Sequence, residues 1–314
     1  MSISIFYSPF HLSPVLLLLA GFCVGTLSSF FGIGGGWLIT PILHIIGLPT
    51  PYAIGTSLVY IVITSIFGTI RHRKLKNVNF IIGIIIGLSS IGGILCGRQL
   101  ILFLERQGWV DTLVRILYMI FLSATGTFML MEKPHKEVTQ KREKKGAPLS
   151  PVLHIRNDNA HTMDISVPLL FLIGIGVGFM SSTMGVGGGF ILFPLLIYVL
   201  GLPVTLAVGT SLLTVLIIGM QGATVYIASQ RIDWSGVFYM TITTIPGAYL
   251  GSSATKRVNP DRIKKLFACT VLGGVLAVGF KQLQLYMFDS ITIFSIAGFS
   301  TLAIIYSAFI KKSH

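Results

Sequence analysis

The stretch Gly21 to Leu58, GFCVGTLSSFFGIGGGWLITPILHIIGLPTPYAIGTSL, returns as Gly174 to Leu212, GIGVGFMSSTMGVGGGFILFPLLIYVLGLPVTLAVGTSL, with one extra residue, Leu200, in the second copy. Nineteen of 38 positions are identical, where apolar composition alone gives roughly one in ten. Gly32 matches Gly185, Gly34-Gly35-Gly36 matches Gly187-Gly188-Gly189, and Pro41 matches Pro194. Gly47-Leu48-Pro49 matches Gly201-Leu202-Pro203, and Gly55-Thr56-Ser57-Leu58 matches Gly209-Thr210-Ser211-Leu212. The register continues to Gly68 with Gly222, Gly93 with Gly247 and Gly97 with Gly251. A fixed register over this length reads as duplication of one structural unit.

The unit belongs in lipid. Of 314 residues, 53% are hydrophobic and 11% charged, with a mean hydropathy of +0.84, a balance that no water-facing surface carries. A bilayer-crossing helix needs about 20 apolar residues, and uncharged runs of that order recur: Leu12 to Ile70, Phe80 to Gly97, Val167 to Gln230 and Ile291 to Ile310. The first run has no Lys or Arg before it and no small-residue cleavage site, so it is read as retained, not as a signal peptide. Cys23, Cys96 and Cys269 lack CxxC spacing and read as packing residues. The net charge of +13 sits mostly between apolar runs, which points to membrane orientation and away from nucleic acid.

The pattern predicts an all-α polytopic membrane protein with two homologous repeats, 1–131 and 166–285, joined by a charged linker, 132–165, and followed by an extra C-terminal helix and basic tail, 286–314. Each copy reads as a long helix (Pro14 to Phe31; Val167 to Met184), a glycine break, a short apolar segment (Trp37 to Ile46; Phe190 to Leu200) and three further helices. These are Tyr52 to Ile70, Phe80 to Phe103 and Thr112 to Met131, then Thr205 to Ser229, Ser235 to Thr255 and Arg262 to Phe280. The short segments reach about 15 to 18 Å, half a bilayer, compatible with re-entry or with a full crossing.

Inverted copies put Arg71, Arg73, Lys74, Lys76, seven basic linker residues, Lys256, Arg257, Arg262, Lys264, Lys265, Lys311 and Lys312 on one side. Only Arg98, Arg106, Arg115, Arg231 and Lys281 stay on the other. The positive-inside rule then favours inversion in a cell membrane, with the N-terminus outside and the linker and C-terminus cytoplasmic.

Four glycines in five residues, twice, exceed what helix contact requires. At membrane depth such a run breaks the helix, exposes backbone N–H groups and aims a positive helix end at the break, making an anion site without charged side chains. The expected substrate-binding residues are Gly34, Gly35, Gly36, Thr56, Ser57, Gly187, Gly188, Gly189, Thr210, Ser211 and Gln221. Thr56-Ser57 and Thr210-Ser211 start the following helix, where their hydroxyls either donate to a substrate oxygen or bond back to a carbonyl one turn earlier. Ser28-Ser29 and Ser181-Ser182 carry the same two options. Gln221 is a substrate contact or an interhelical bridge, with the bridge favoured. Spaced pairs such as Gly21/Gly25, Gly93/Gly97, Gly174/Gly178 and Gly247/Gly251 read as helix packing. His44 reads as a satisfied buried imidazole and His72 as part of a basic connection.

Every Asp and Glu falls in a connection or near a helix end. No intramembrane carboxylate pair, nucleophile–base pair or metal-ligand cluster is suggested, so neither enzyme chemistry nor a metal or cofactor is expected. No lysine follows either glycine run in the manner of a nucleotide-binding loop.

The twice-used runs Gly32 to Pro41 and Gly185 to Pro194, the runs Gly47 to Leu58 and Gly201 to Leu212, and the connections Asn77-Val78-Asn79-Phe80 and Arg231-Ile232-Asp233-Trp234 resemble the TauE/SafE family of sulfite exporters and related membrane transporters. The resemblance covers about Gly21 to Phe280 and implies export of a small oxyanion or organosulfonate such as sulfite or sulfoacetate; the repeats themselves point to alternating access by rocking one repeat against the other about a midplane site. The charged linker and extra C-terminal segment depart from the shorter members. A non-transporting membrane scaffold or sensor, and an importer of another small solute, are the alternatives the sequence leaves standing. No oligomeric state follows from these features.

Overall fold

The computed structural model describes residues 13–131, 152–156, 162–282 and 286–310. The chain runs α1 (Pro14–Phe31), α2 (Gly36–Ile45), α3 (Thr50–Lys74), α4 (Phe80–Gln107), α5 (Val110–Met131), β1 (Val152–Arg156), β2 (Thr162–Ser166), α6 (Val167–Met184), α7 (Gly189–Pro194, continued by a wider turn over Leu195–Val199), α8 (Val204–Ala228), α9 (Trp234–Thr255), α10 (Pro260–Gln282) and α11 (Tyr286–Ile305). Among the described residues, seven helices are long and apolar enough to cross a membrane. The protein is an all-α polytopic membrane protein.

Local chemistry sets the boundaries. α1 and α6 each open on a proline, whose missing N–H is no loss in a first turn. Both close on a left-handed glycine, Gly32 at φ 80° and Gly185 at φ 71°, whose N–H reaches the carbonyl of Ser28 or Ser181 at 2.8 Å. α4 and α9 are capped by the Asn79 and Asp233 side chains, which accept from the N–H of Ile82 and Gly236, each at 3.1 Å. The outward face of α4 is Phe80, Ile84, Leu88, Ile91 and Leu95, all exposed at helical spacing, a surface suited to lipid tails.

Glycines fix which helices touch. A Cβ on Gly21 would lie 2.8 Å from Met240 Cα, and one on Gly247 would lie 2.5 Å from the Phe22 carbonyl, so α1 and α9 pack backbone to backbone. α4 and α6 meet in the same way, with Gly93 against Phe179 N and Gly97 against the Phe179 carbonyl at 2.6 and 2.8 Å. Along both pairs the contacts advance together, so the partners run parallel. α3 and α8 run antiparallel: Gly222 faces Leu58 at 3.1 Å, Gly68 faces Leu212 at 3.0 Å, and Gly209 faces Asn77 C at 2.7 Å.

α3 runs with α1, because Tyr60 Oη donates to the Gly21 carbonyl at 3.1 Å while His72 Nε2 meets the Ser29 carbonyl at 2.9 Å. α2 turns back beside α3, since Thr40 lies on Ser57 and Gly36 on Ile61. The C-terminal ends of α3 and α9 and the start of α10 share one end of the bundle. Arg71, Arg73, Lys74, Lys256, Arg257, Arg262 and Lys264 make this the basic end. The opposite end holds Glu105, Asp111 and the Arg231–Glu105 ion pair at 2.6 Å.

The segment read as a plain linker contains structure. β1 and β2 pair antiparallel, Val152 opposite Ser166 and Arg156 opposite Thr162, and β2 runs straight into α6. The alternation of apolar and polar residues in Thr162 to Ser166 suits a strand, a signal masked by the charge around it. Residues 132–151 and 157–161 lie outside the described part. α11 begins at Tyr286 and packs antiparallel on α10, with Thr270 and Ser300 hydroxyls 2.9 Å apart.

Candidate functional site

The two glycine breaks come together at the crossing of α3 and α8. Gly34, Gly35, Gly187 and Gly188 all hold left-handed φ values, 74°, 83°, 69° and 73°, which a side chain resists. A Cβ on Gly36 would lie 2.6 Å from the Val186 carbonyl, and one on Gly189 would lie 2.5 Å from Ile33 C, so the breaks touch with no gap between them. Ile61 and Val215 close over both: a Cβ on Gly187 would be 3.2 and 3.1 Å from their side chains, and Gly34 faces the same pair. The N–H groups of Gly34, Gly35, Gly36 and Trp37 have no backbone acceptor among the described residues, nor have those of Gly187, Gly188, Gly189 and Phe190.

The two sides of this crossing differ. Thr40 Oγ1 approaches Ser57 Oγ at 2.8 Å and the Gly185 carbonyl at 3.0 Å, and Ser57 Oγ also reaches the Ile54 and Gly185 carbonyls at 2.8 Å. In the matched register Phe193 stands where Thr40 does, and Ser211, the match of Ser57, is buried without a hydrogen-bond partner.

Thr56 and Thr210 sit elsewhere. Their Oγ1 atoms accept the N–H of Asp233 and Asn79, both at 2.9 Å, and so anchor the turns before α9 and α4. Gln221 joins α8 to α4: its Nε2 donates to the Gly87 carbonyl at 2.9 Å and its Oε1 accepts from Ser90 Oγ at 2.8 Å. Gln221→Leu is expected to lower the thermal unfolding midpoint of the detergent-purified protein, with a loss of about 1 kcal/mol, the usual scale of an interhelical hydrogen bond in a membrane protein.

A narrow cleft opens at the end opposite the basic one, between α2, α3 and α5. Its mouth holds Thr50, Asp111 and Arg115, and its wall holds His44 and Ala53. Thr50 Oγ1 donates to Asp111, and His44 Nδ1–H donates to the Leu48 carbonyl at 3.0 Å. Thr40 and Tyr118 also line it, and their hydroxyls donate to the carbonyls of Gly185 and Met184, at 3.0 Å each. The cleft therefore ends on the second glycine break.

Sequence reasoning placed His72 in a connection, weighed Ser28 and Ser29, and passed over Ser65 and Thr69. α3 continues to Lys74, a turn beyond the expected end at Ile70, so His72 is helical and fully buried. Its Nε2–H donates to the Ser29 carbonyl, while Nδ1 has no partner. Ser28, Ser29, Ser65 and Thr69 are buried beside it, also without partners for their hydroxyls. The signal was the helical spacing of Ser65, Thr69 and His72, hidden because the basic residues around His72 resemble a loop.

The chain matches the family described as sulfite exporter TauE/SafE over residues 17–278. It is 28% identical over 274 residues to a probable membrane transporter protein of Methanocaldococcus jannaschii, covering 82% of this chain and 92% of the relative. It is 30% identical over 280 residues to a probable membrane transporter protein of Haemophilus influenzae, covering 81% and 93%. The probable membrane transporter protein YunE of Bacillus subtilis is 25% identical over 260 residues, covering 79% and 89%. No solved structure matches. With nearly all of the helical bundle inside the matched region, the chain belongs to the TauE/SafE family and is a multi-pass membrane transporter.

Proposed function

We propose that the protein exports a small oxyanion, sulfite or a related sulfur oxyanion or organosulfonate, by alternating access about the paired glycine breaks. The observation that carries this reading is the meeting of two breaks whose N–H groups lack backbone acceptors, in a bundle whose carboxylates fall only in connections or near helix ends. Dipoles of that kind suit an anion that must bind and then leave. Membership of a family described as sulfite exporters supports sulfite as substrate.

In this reading the two copies are inverted repeats, with α2 and α7 re-entrant. The antiparallel course of α3 and α8, which begin on matched residues, supports inversion, as does the match between the parallel pairs α1–α9 and α6–α4. The basic end is cytoplasmic by the positive-inside rule, which puts residues 132–165 inside and opens the cleft to the outside. Rocking of one whole copy against the other does not suit the packing, because α1 is bound to α9 and α4 to α6 by backbone contact. The moving core is instead α2, α3, α7 and α8 against those two pairs.

An inside-negative potential drives an anion outward by about 2.3 kcal/mol per charge per 100 mV, so export proceeds without a coupling ion. Liposomes containing the protein and loaded with sulfite are expected to release it faster when the interior is made negative. Absence of flux for every sulfur oxyanion tested, with monodisperse protein, would rule out this substrate.

A further inference from the structure

α3 differs from its counterpart in one respect that the glycine breaks do not explain. Thr50, Ser57, Ser65, Thr69 and His72 are all buried and fall on one band of α3, roughly a third of its circumference. In the matched register α8 carries Val204, Ser211, Gly219, Ala223 and Tyr226, and the Tyr226 hydroxyl is already used, on the Ser182 carbonyl at 3.3 Å. This polar band, shared with buried Ile54, Leu58 and Ile61, has only Ser211 and Tyr226 as polar counterparts on α8.

The two halves of that face are in different states. At the end away from the basic residues, Thr50 borders the cleft, and Ser57 bonds Thr40 at its inner limit. Halfway, Ile61 and Val215 press on the glycine breaks. Beyond them, the Ser28, Ser29, Ser65 and Thr69 hydroxyls and His72 Nδ1 are buried without partners. A Cβ on Gly68 would lie 3.1 Å from Ser29 Oγ and one on Gly34 3.4 Å from Ser65 Oγ, which places these groups where α3 faces the end of α1 and the first break.

Helical hydroxyls ordinarily bond a carbonyl one turn back, as Thr26, Thr64 and Thr183 do here at 2.9 Å. The Ser28, Ser29, Ser65 and Thr69 hydroxyls make no such bond, and Arg71, Arg73 and Lys74 follow at the same end of the helix. Unpartnered hydroxyl donors with basic residues nearby and no carboxylate among them favour an anion over a cation.

We propose that the polar face of α3 is the track along which the oxyanion crosses, with Ile61 and Val215 as its constriction and the hydroxyls of Ser28, Ser29, Ser65 and Thr69 as its binding station on the basic side. This rests on the transporter reading above; Ser28 and Ser29 recur as Ser181 and Ser182, whose hydroxyls are also buried without partners, so what sets the first copy apart is Ser65 and Thr69, where α8 has Gly219 and Ala223.

The test is sulfite binding to the full chain in lipid nanodiscs by calorimetry, with efflux from liposomes alongside, for wild type and the double variant Ser65→Ala with Thr69→Val. Both substitutions delete buried hydroxyls that lack partners, so the ligand-free protein is expected to unfold at the same temperature or higher. Sulfite affinity is expected to fall at least tenfold, and efflux with it. Affinity and efflux equal to wild type would overturn the proposal while leaving the exporter reading intact. If wild type neither binds nor moves sulfite, the substrate reading fails, and nitrate, sulfate and phosphate are titrated in the same way. Binding of one of them that the double variant loses then supports the station, and binding of none overturns it.

Discussion

Alanine at Gly189 is expected to cut sulfite efflux at least about a hundredfold while leaving a folded protein. Gly189 opens α7 without a left-handed φ, so alanine suits its backbone and improves the local helix propensity. What the methyl group cannot do is fit: it would fall 2.5 Å from both the carbonyl carbon and Cα of Ile33, and backbone atoms cannot swing aside as a side-chain tip can. Ordinary contact is restored only if the two breaks separate by about 1 Å, a displacement large enough at a reaction or binding centre to cost about a hundredfold. Gly36→Ala, against the Val186 carbonyl at 2.6 Å, is expected to behave in the same way from the other side. The checks are efflux from proteoliposomes, together with size-exclusion profile and thermal midpoint. Normal efflux from a folded Gly189→Ala protein would reduce the breaks to packing features.

Leucine at Gly93 is expected to prevent assembly, whereas leucine at Gly92, one residue earlier, is expected to be tolerated. A Cβ at Gly93 would lie 2.6 Å from Phe179 N and closer still to the Ile175 carbonyl, while a Cβ at Gly92 would meet nothing within 4 Å. The first substitution forces α4 and α6 apart along their whole contact, an effect in the exceptional class above about 4 kcal/mol. The second adds an apolar side chain with nothing in its way and gains up to about 1 kcal/mol in helix propensity. The yield of monodisperse protein after detergent extraction reads both variants. Equal yields would mean that the α4–α6 contact is not made through these backbones.

Most helix boundaries were legible because apolar runs end on residues with a mechanical reason to end them: Gly32 and Gly185 in left-handed conformation, Pro49 and Pro203 before α3 and α8, Asn79 and Asp233 as caps. The spaced glycines were legible as contacts for the same reason. Their partners were not, because a backbone contact leaves no complementary side chain in the sequence to recognise. At the site, Thr40 escaped notice because its matched residue is Phe193, and matching rewards sameness, whereas the polarity of the cleft lies in that difference. Thr56 and Thr210 were conspicuous by repetition, yet both hold turns. His72 was obscured by Arg71, Arg73 and Lys74, whose charges reach outward from a helix that nevertheless continues inward-facing.

The pairing of α1 with α9 and of α4 with α6 also bears on how the molecule is made. When the ribosome has completed α1, the partner for its bare glycine face lies more than 200 residues ahead, and at 5 to 20 residues per second that is roughly 10 to 40 s of further synthesis. During this interval α1 and α4 sit in the bilayer with their small-residue grooves open to lipid or to other nascent helices. Such a chain depends on something holding the first five helices near the insertion machinery until α6 and α9 arrive.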